Sequence, residues 1–269
     1  MISFPNSKIN LGLHIPGKRD DGYHNLCTVF YPLPVKDVLE MVKASAQSLT
    51  VTGIPVAGAP EKNLCMRAWD LLKADFPDLS PVTIMLHKNI PMGAGLGGGS
   101  ADGAFMLTML NNKFNLGLTK EQLLRYALQL GSDCPFFIYN QPCIGTGRGE
   151  LLTPIELDLS AYSFLLVHPG VHVNTAWAFS QIKPTGNSQD LESIVQLPVT
   201  EWKNVLVNDF EAPVMSHYPA LEEIKNKLYA AGAVYASMTG SGSCFYGIFQ
   251  KNQLAAIDWP QEYREFRLP

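Results

Sequence analysis

The most informative stretch of this chain is Pro91-Met92-Gly93-Ala94-Gly95-Leu96-Gly97-Gly98-Gly99-Ser100-Ala101-Asp102. Five of the seven residues from 93 to 99 are glycine, so few side chains keep the backbone away from a bound ion. Glycine also permits the positive φ angles that let successive N–H groups converge on an anion. The stretch therefore predicts a loop that binds a nucleotide phosphate.

The segments on either side of this glycine loop support that interpretation. Residues 82–87 alternate with period two, which is typical of a half-buried strand, and residues 101–110 carry apolar side chains at helical spacing. Strand, loop and helix in this order place the loop amides at a helix N-terminus, where the partial positive charge favours an anion. Ser100 adds a hydroxyl for the phosphate or its metal ion.

Three other interpretations of the glycines fit the sequence less well. Gly93, Gly95 and Gly98 satisfy the dinucleotide pattern G-x-G-x-x-G, but four residues separate the strand from the loop and no clean β-α-β unit with a later acidic residue is visible. A P-loop would need lysine where Gly99 stands. A flexible linker is disfavoured because two strongly apolar, periodic segments flank the run.

Composition limits the classes of function. The 269 residues, 46% hydrophobic and 16% charged, suit two domains with sizeable cores. The net charge of −4 gives no general attraction to nucleic acid or anionic membranes, so neither is expected as a partner. The five cysteines are widely spaced without a C-x-x-C pair, which indicates reduced thiols. Without a signal segment or membrane-spanning run, we expect a soluble, cytoplasmic protein, and nothing specifies its oligomeric state.

Polar residues elsewhere leave alternatives open on local sequence alone. A first strand places Lys8, Asn10 and His14 on one face, which is either functional or simply solvated. Tyr23 and the adjacent histidine, at the edge of a loop, are surface residues or a pair that holds a planar base. Asp133 follows a helix that is predicted to begin at the capping box Thr119-Lys120-Glu121-Gln122 and to end at Gly131, so Asp133 is a helix cap, a turn former or a reacting group.

Three of these segments, Lys8-Ile9-Asn10, the glycine loop and Thr239-Gly240-Ser241-Gly242, occur in an order that resembles the GHMP kinases of small molecules, and the resemblance covers most of the chain. Further motifs narrow it to the branch of this family whose substrate is a cytidine diphosphate-linked polyol. They are Lys8-Ile9-Asn10-Leu11, Asp21-Gly22-Tyr23-His24, Gly95-Leu96-Gly97-Gly98-Gly99-Ser100, Leu130-Gly131-Ser132-Asp133-Cys134-Pro135-Phe136-Phe137 and His168-Pro169-Gly170.

The resemblance implies an α+β fold with two domains. Residues 1–155 would form the N-terminal, ATP-binding GHMP kinase domain, and residues 156–269 a ferredoxin-like, substrate-binding C-terminal domain. The implied reaction uses ATP and Mg²⁺ and transfers the γ-phosphate to the 2-hydroxyl of a methylerythritol moiety, a step of non-mevalonate isoprenoid precursor synthesis. Asp133 would accept or orient the hydroxyl proton, and Lys8 would polarise the hydroxyl and offset developing charge.

Binding residues follow from the same resemblance. The nucleotide would contact Asn63 and Lys88 near the adenosine, and Pro91, Gly93, Gly95, Gly97, Gly98, Gly99 and Ser100 around the phosphates. The polyol substrate would contact Asn10, Tyr23, His24, Phe179, Thr239, Gly240 and Ser241. Ser100 is the one candidate metal ligand. Arg148 is either an extra phosphate or substrate contact or, as we favour from sequence, a solvated loop residue.

Two rival functions remain. A GHMP kinase for homoserine, mevalonate or a sugar would keep the glycine loop but would not need Tyr23 and His24 as a base clamp. A non-catalytic nucleotide-binding or regulatory protein would lose the reacting residues, whereas Lys8 and Asp133 are both present. The enzyme acting on the cytidine-linked substrate is therefore the favoured interpretation.

Overall fold

The computed structural model describes residues 1–56, 58–184, 186, 189–254 and 256–269, which form two compact units. The first unit comprises Met1–Lys8, Pro32–Met92 and Gly97–Gln141, and the second comprises Ile9–Tyr31, Gly93–Leu96 and Pro142–Pro269. Strands β2 (Asn6–Lys18) and β3 (His24–Lys36) contribute to both. This division differs from a single boundary after residue 155, because residues 9–31 and 93–96 group with the C-terminal half. The mixture of helices and sheets confirms the α+β class.

The first unit packs helices against a four-stranded sheet of order β1-β4-β6-β5, in which only β5 and β6 run parallel. Its strands are β1 (Ile2–Ser3), β4 (Val38–Lys43), β5 (Ser48–Gly53) and β6 (Val82–Lys88). Its helices are α1 (Leu64–Asp75), α2 (Gly98–Phe114), α3 (Lys120–Leu130) and α4 (Cys134–Tyr139), with a 3-10 turn at Pro60–Lys62. Helix α2, which follows the glycine loop, contacts α1, α3, α4 and β4. These contacts hold the helix in place.

The second unit is built on an antiparallel sheet of order β10-β11-β9-β12. Its strands are β7 (Cys143–Thr146), β8 (Leu151–Pro154), β9 (Tyr162–His168), β10 (Tyr235–Met238), β11 (Phe245–Gln250) and β12 (Arg264–Leu268). Its helices are α5 (Thr175–Ser180), α6 (Leu191–Val195), α7 (Glu211–His217) and α8 (Ala220–Ala230), with a 3-10 helix at Val199–Asn204. A third sheet has the order β2-β3-β7-β8.

The antiparallel sheet of the second unit has the strand order of a split β-α-β arrangement, as the ferredoxin-like expectation requires. Helix α8 packs on β10 and β11, and Ile224 and Leu228 enter an apolar core with Leu165 and Phe245. The described residues between β11 and β12 form no helix, so the second helix of a complete ferredoxin-like unit is not seen there. Strand β12 lies beyond residue 250, where no element is predicted from the sequence.

Several local predictions are confirmed. Thr119 begins α3 with a capping box, because its hydroxyl accepts from Gln122 N and the Gln122 side chain accepts from Thr119 N. Gly131 is the C-cap of the same helix. The five cysteines are all free, as expected. Among the residues that the structure describes, no helix is long and apolar enough to cross a membrane.

Candidate active site

The glycine loop leads directly into α2 and leaves its N-terminus open. Gly93, Gly95 and Gly97 have φ angles of 66°, 79° and 71°, as predicted for a loop whose N–H groups converge. Gly98 and Gly99 instead belong to the first turn of α2, so positive φ was the wrong expectation for them. The N-cap residue is Gly97, which offers no side chain to the free N–H groups of that turn. These amides are therefore available to an anion.

Lys8 and Asp133 meet beside this turn, within the first unit. The distance from Lys8 Nζ to Asp133 Oδ2 is 3.4 Å, and the Lys8 side chain is 4% exposed against 37% for Asp133. A Cβ atom on Gly97 would lie 3.1 Å from Lys8 Cγ and 2.9 Å from Phe137 Cζ, so the lysine stem packs against the loop itself. A buried cation and an accessible carboxylate thus lie next to the open helix end.

The polar face of the first strand is not solvated. Lys8, Asn10 and His14 are only 3%, 2% and 6% exposed, which excludes the alternative that this face is simply solvated. His14 Nδ1 lies 3.2 Å from Asp209 Oδ1, an ion pair if the imidazole is protonated. The strand therefore carries polar groups inward because specific partners receive them.

Asp133 is not a helix cap. It occupies the N-cap position of α4, but its backbone is helical (φ −83°, ψ −16°) and its side chain makes no capping hydrogen bond. The carboxylate points to Lys8 instead. The next residue, Cys134, is buried and hydrogen-bonds the Ser100 hydroxyl, and burial raises the pKa of its thiol to about 12. Ser100 on α2 and the Asp133 turn are therefore direct neighbours.

Lys88 does not present its ammonium group to a nucleotide. Its side chain is fully buried and donates to Asp102 Oδ2 at 2.6 Å and to Asp37 Oδ2. Burial alone would lower the pKa of Lys88, but attraction to Asp102 and Asp37 outweighs it and raises the pKa. The expected side-chain contact with the adenosine is inconsistent with this burial, because the ammonium would have to leave both carboxylates.

Asn63 is likewise engaged locally. Its side-chain oxygen caps α1 by accepting from Cys65 N at 2.9 Å, which leaves its amide nitrogen or its backbone for any contact with the adenosine. Pro91 is buried and is the last residue of the short segment that joins β6 to the glycine loop. Both residues remain predictions as nucleotide contacts.

Aromatic residues predicted to hold a base lie together in the second unit. The rings of His24 and Phe179 stack directly, with centroids 5.1 Å apart and planes at 18°. Because the two rings stack directly, a base can lie between them only if they separate. Tyr23 is 56% exposed, and the Arg148 guanidinium lies 4.6 Å from its ring centroid. Arg148 thus covers one Tyr23 face and is not merely solvated.

The turn before Tyr23 and the protonation of His24 both suit binding of a base. Asp21 accepts from Tyr23 N at 3.1 Å and from Arg19, and these hydrogen bonds lower its pKa. Partial burial and the positive charge of Lys18 lower the pKa of His24, so its imidazole is neutral at neutral pH. A neutral imidazole has one donor and one acceptor nitrogen, as the edge of a base requires.

The late loop at residues 239–241 is tied to the glycine loop, again within the second unit. Thr239 is fully buried and donates its hydroxyl to Gly95 O at 3.0 Å, while Asn10 N donates to that hydroxyl at 3.1 Å. Asn10 Nδ2 donates to Thr28 Oγ1 at 3.0 Å. Only Ser241, half-buried and 3.1 Å from the Thr175 hydroxyl, leaves its side chain near the surface.

Two of these placements change how the predicted substrate contacts are understood. Asn10 and Thr239 hold the loops in place, so any contact that they make with a substrate would come in addition to this role. Gly240 adopts a φ of 56°, and its carbonyl oxygen accepts from Asn208 Nδ2 at 2.9 Å. The sequence pattern predicted these loops but not that Asn208 anchors the later one.

The described residues offer few ligands for a metal ion. Among the described residues there is no group of three His, Cys, Asp or Glu side chains that could hold a metal ion. Mg²⁺ usually binds through one or two protein ligands together with substrate phosphates and water. The Ser100 hydroxyl in the first turn of α2 and the exposed Asp133 carboxylate fit that limited role.

Sequence reasoning missed Asp37, Asp102 and Asn208. Asp102 belongs to the quoted glycine stretch but carried no pattern that marked it as charged and buried. Asp37 lies between two strands and Asn208 in an irregular segment, and both act on backbone groups far away in sequence. Only a three-dimensional arrangement reveals such contacts.

Two family models match most of the two halves of this chain. The GHMP kinase N-terminal domain matches residues 63–141, and the GHMP kinase C-terminal domain matches residues 190–258. The chain is 52% identical over 257 residues to the 4-diphosphocytidyl-2-C-methyl-D-erythritol kinase of Bacteroides fragilis, which covers 94% of this chain and 93% of the relative. The protein of the same name from Chlorobium limicola is 39% identical over 256 residues, covering 92% and 88%.

Solved structures agree. A 4-(cytidine 5'-diphospho)-2C-methyl-D-erythritol kinase superimposes with a TM-score of 0.81 at 31% identity, covering 92% of this chain and 90% of the other. A homoserine kinase from Cytophaga hutchinsonii gives a TM-score of 0.69 at 15% identity, covering 98% and 95%. The second comparison shows a shared fold only.

Gly99→Ala is the sharpest test of the phosphate loop. A Cβ at Gly98 would lie 2.8 Å from buried Ile90, so a larger residue there would also destabilise the fold, whereas a Cβ at Gly99 meets only the end of the flexible Met92 side chain at 3.0 Å. Because Cα–Cβ bonds tilt toward the helix N-terminus, the methyl group would crowd the anion. Calorimetry should show ATP binding weakened several-fold with thermal stability nearly unchanged.

Gly17→Ala serves as the control for that experiment, since nothing lies within 4 Å of its Cβ position and its φ is not positive. It should leave ATP binding unchanged. Wild-type ATP affinity in a folded Gly99→Ala protein would show that the first turn of α2 is not the phosphate site.

Proposed function

Because the chain belongs to the GHMP kinase family, we propose that it transfers the γ-phosphate of ATP to the 2-hydroxyl of 4-diphosphocytidyl-2-C-methyl-D-erythritol. The observation that carries the proposal is the Lys8–Asp133 pair beside the open N-terminus of α2. A non-catalytic nucleotide-binding protein would not need this pair. The product would then serve non-mevalonate isoprenoid precursor synthesis.

The reaction needs positioning and charge stabilisation rather than a covalent intermediate. The acceptor oxygen forms a bond to the γ-phosphorus while the bond to the leaving oxygen of ADP breaks. Asp133 receives or orients the proton of the acceptor hydroxyl, and its exposed carboxylate is accessible for that task. Lys8, held between the loop and Asp133, places a positive charge where the hydroxyl becomes negative.

The phosphates of ATP would bind the free amides of the first turn of α2, where the helix dipole adds a positive potential. Ser100 and the phosphate oxygens would hold Mg²⁺, with Asp133 as a second candidate ligand. When bound, Mg²⁺ neutralises charge on the transferring phosphate. At the phosphates, the contribution of the protein would thus be the fixed dipoles of these backbone amides.

The cytosine ring of the acceptor would be recognised by Tyr23 and His24. Arg148 covers one face of Tyr23, so the base is expected to stack on the other face. The neutral His24 imidazole would hydrogen-bond the base edge, and Phe179 would hold the imidazole by stacking.

We also propose a cytoplasmic location, which five free cysteines suit because that compartment keeps thiols reduced.

Acceptor choice tests the proposal directly. With Mg-ATP, kcat/KM for 4-diphosphocytidyl-2-C-methyl-D-erythritol should exceed that for homoserine, mevalonate or galactose by orders of magnitude, because only the first carries a base for the Tyr23–His24 site. A coupled assay of ADP release measures all four. Comparable kcat/KM on any of the other three would overturn the assignment but leave the chain a GHMP kinase.

Asp133→Asn tests the chemistry. The substitution keeps the shape and removes the charge, so kcat should fall by on the order of 10² to 10⁴ while both substrates still bind. Thermal stability should change little because Asp133 makes no capping hydrogen bond. Both quantities are measured on one sample.

Asp190→Ala is the matched control for Asp133→Asn, since Asp190 does cap α6 by accepting from Ser193 N. That variant should lose a measurable amount of thermal stability, as expected for a lost helix cap, and keep normal turnover. Near-normal kcat in Asp133→Asn would remove Asp133 from the mechanism.

His24→Ala tests the base site. Loss of a contact made equally in ground and transition states should raise the KM for the acceptor and spare kcat and the KM for ATP. His87→Ala is the control, since His87 is exposed on β6 and hydrogen-bonds Thr52. If His24→Ala instead weakens ATP binding, then His24 belongs to the nucleotide site.

A further inference from the structure

A buried cluster of three charged side chains connects the strand before the glycine loop to the helix after it. Lys88 is the last residue of β6, and Asp102 lies in the second turn of α2. Lys88 Nζ donates to Asp102 Oδ2 at 2.6 Å and also to Asp37 Oδ2. The three side chains are 0%, 0% and 3% exposed for Asp37, Lys88 and Asp102. We call these residues the ion cluster.

Asp37 also fixes the backbone that leaves β6. Its Oδ1 accepts from Asn89 N at 2.6 Å and from Ile90 N at 2.8 Å, so one carboxylate holds two consecutive amides and the Lys88 ammonium. The chain therefore enters the glycine loop from a backbone whose direction a buried side chain sets.

The cluster lies directly beneath the first turn of α2. A Cβ atom on Gly98 would be 3.3 Å from Lys88 Nζ, and Gly98 and Asp102 share a helix face because they are four residues apart. The ammonium group thus sits under the residue whose amide opens the helix. Its tie to Asp102 fixes the rotation of that turn about the helix axis.

Stability alone is a poor explanation of such a cluster. Burying three charges costs desolvation energy, and replacing buried ion pairs by apolar groups is often neutral or stabilising. Among the described residues, Asp102 Oδ1 has no hydrogen-bond partner, and burial raises the Asp102 pKa. An arrangement that leaves a carboxylate oxygen unsatisfied is costly, so its place beneath the loop calls for another role.

We propose that Asp37, Lys88 and Asp102 are positioning residues that hold the first turn of α2 in the orientation that binds the phosphates of ATP. The inference rests on the proposed function. It assigns Lys88 an indirect part in nucleotide binding, through the helix rather than through contact with the adenosine. Asp37 supplies the fixed point, Lys88 the link, and Asp102 the attachment to the helix.

The double variant Lys88→Met/Asp102→Leu tests this role with little risk of unfolding. Apolar side chains of similar size replace the linked pair, and Asp37 keeps its two backbone donors. The formal charge of the cluster stays at −1, because one positive and one negative group are removed together. A change in ATP binding therefore cannot come from the net charge beneath the loop.

Calorimetry on this variant should show ATP binding weakened by about ten-fold or more, because small misplacements of binding groups are costly. The KM for the acceptor should change less than two-fold, and thermal stability should hold. Wild-type ATP affinity in the folded double variant would overturn the proposal, since apolar packing would then orient the helix equally well.

Asp102→Asn is the second test, and it leaves Lys88 in place. A pure charge effect would strengthen ATP binding, because one negative charge near the phosphates disappears. Loosened positioning predicts weaker binding instead. A loss in both variants also excludes direct contact of Lys88 with the nucleotide as the cause, and stronger or unchanged binding in Asp102→Asn would contradict the positioning role.

Glu211→Gln provides the control for loss of a buried charge. Glu211 is 6% exposed and pairs with Lys225 at 2.5 Å in the second unit, so its substitution should lower thermal stability without changing ATP affinity. A wild-type protein that binds no ATP would refute the proposed function itself. Wild-type binding and turnover combined with unaltered ATP affinity in both cluster variants would refute only the positioning role.

Discussion

The open N-terminus of α2 is the constraint around which the first unit is arranged. Because Gly97 is the N-cap, no side chain satisfies the first-turn amides, and an open helix end near buried groups is unfavourable without a ligand. The surroundings supply what the loop lacks. Lys8 packs along Gly97, Ser100 hydrogen-bonds Cys134, and α2 is wedged among three helices and a strand. The helix is thus held in place while no side chain caps its first turn.

Lys8 and Lys88, both in the first unit, lie in different electrostatic surroundings. Lys8 has a partly exposed carboxylate partner at 3.4 Å, and in the proposed reaction its charge would stabilise the reacting hydroxyl. Lys88 is enclosed by two buried carboxylates, which neutralise it and fix it in place. Identical side chains therefore differ because of what surrounds them. The accessible Lys8–Asp133 pair suits the proposed phosphate transfer, and the enclosed ion cluster suits the positioning of α2.

The sequence predicted the local elements of the site because these depend on neighbours along the chain. The strand, the glycine loop and helix α2 follow from periodicity and glycine content, and the capping box of α3 from four residues. Lys8 and Asp133 were paired by resemblance, since nothing local brings them together. The direct stacking of His24 on Phe179 could not be read from either segment, because it depends on packing between residues 155 positions apart.

Charge burial was the hardest property to predict. A lysine at a strand end and an aspartate in a glycine-rich helix are usually solvated, and only long-range partners reverse this for Lys88 and Asp102. The same holds for Thr239, whose hydroxyl joins two loops 144 residues apart. Strand β12 escaped prediction for a related reason, since its pairing partner β9 lies far away along the chain.

The spacing around each loop glycine bears on how natural variation in such loops should be understood. A Cβ on Gly95 would stand 2.0 Å from the Thr239 carbonyl oxygen, and one on Gly98 would collide with Ile90, while Gly99 faces only a movable methionine. Selection would preserve the first two glycines even in a descendant that had lost its nucleotide, because the fold itself requires them. The presence of glycine at 95 and 98 is consequently weak evidence of activity in a diverged homologue. Gly99 is the position whose loss or retention would carry information about the ligand.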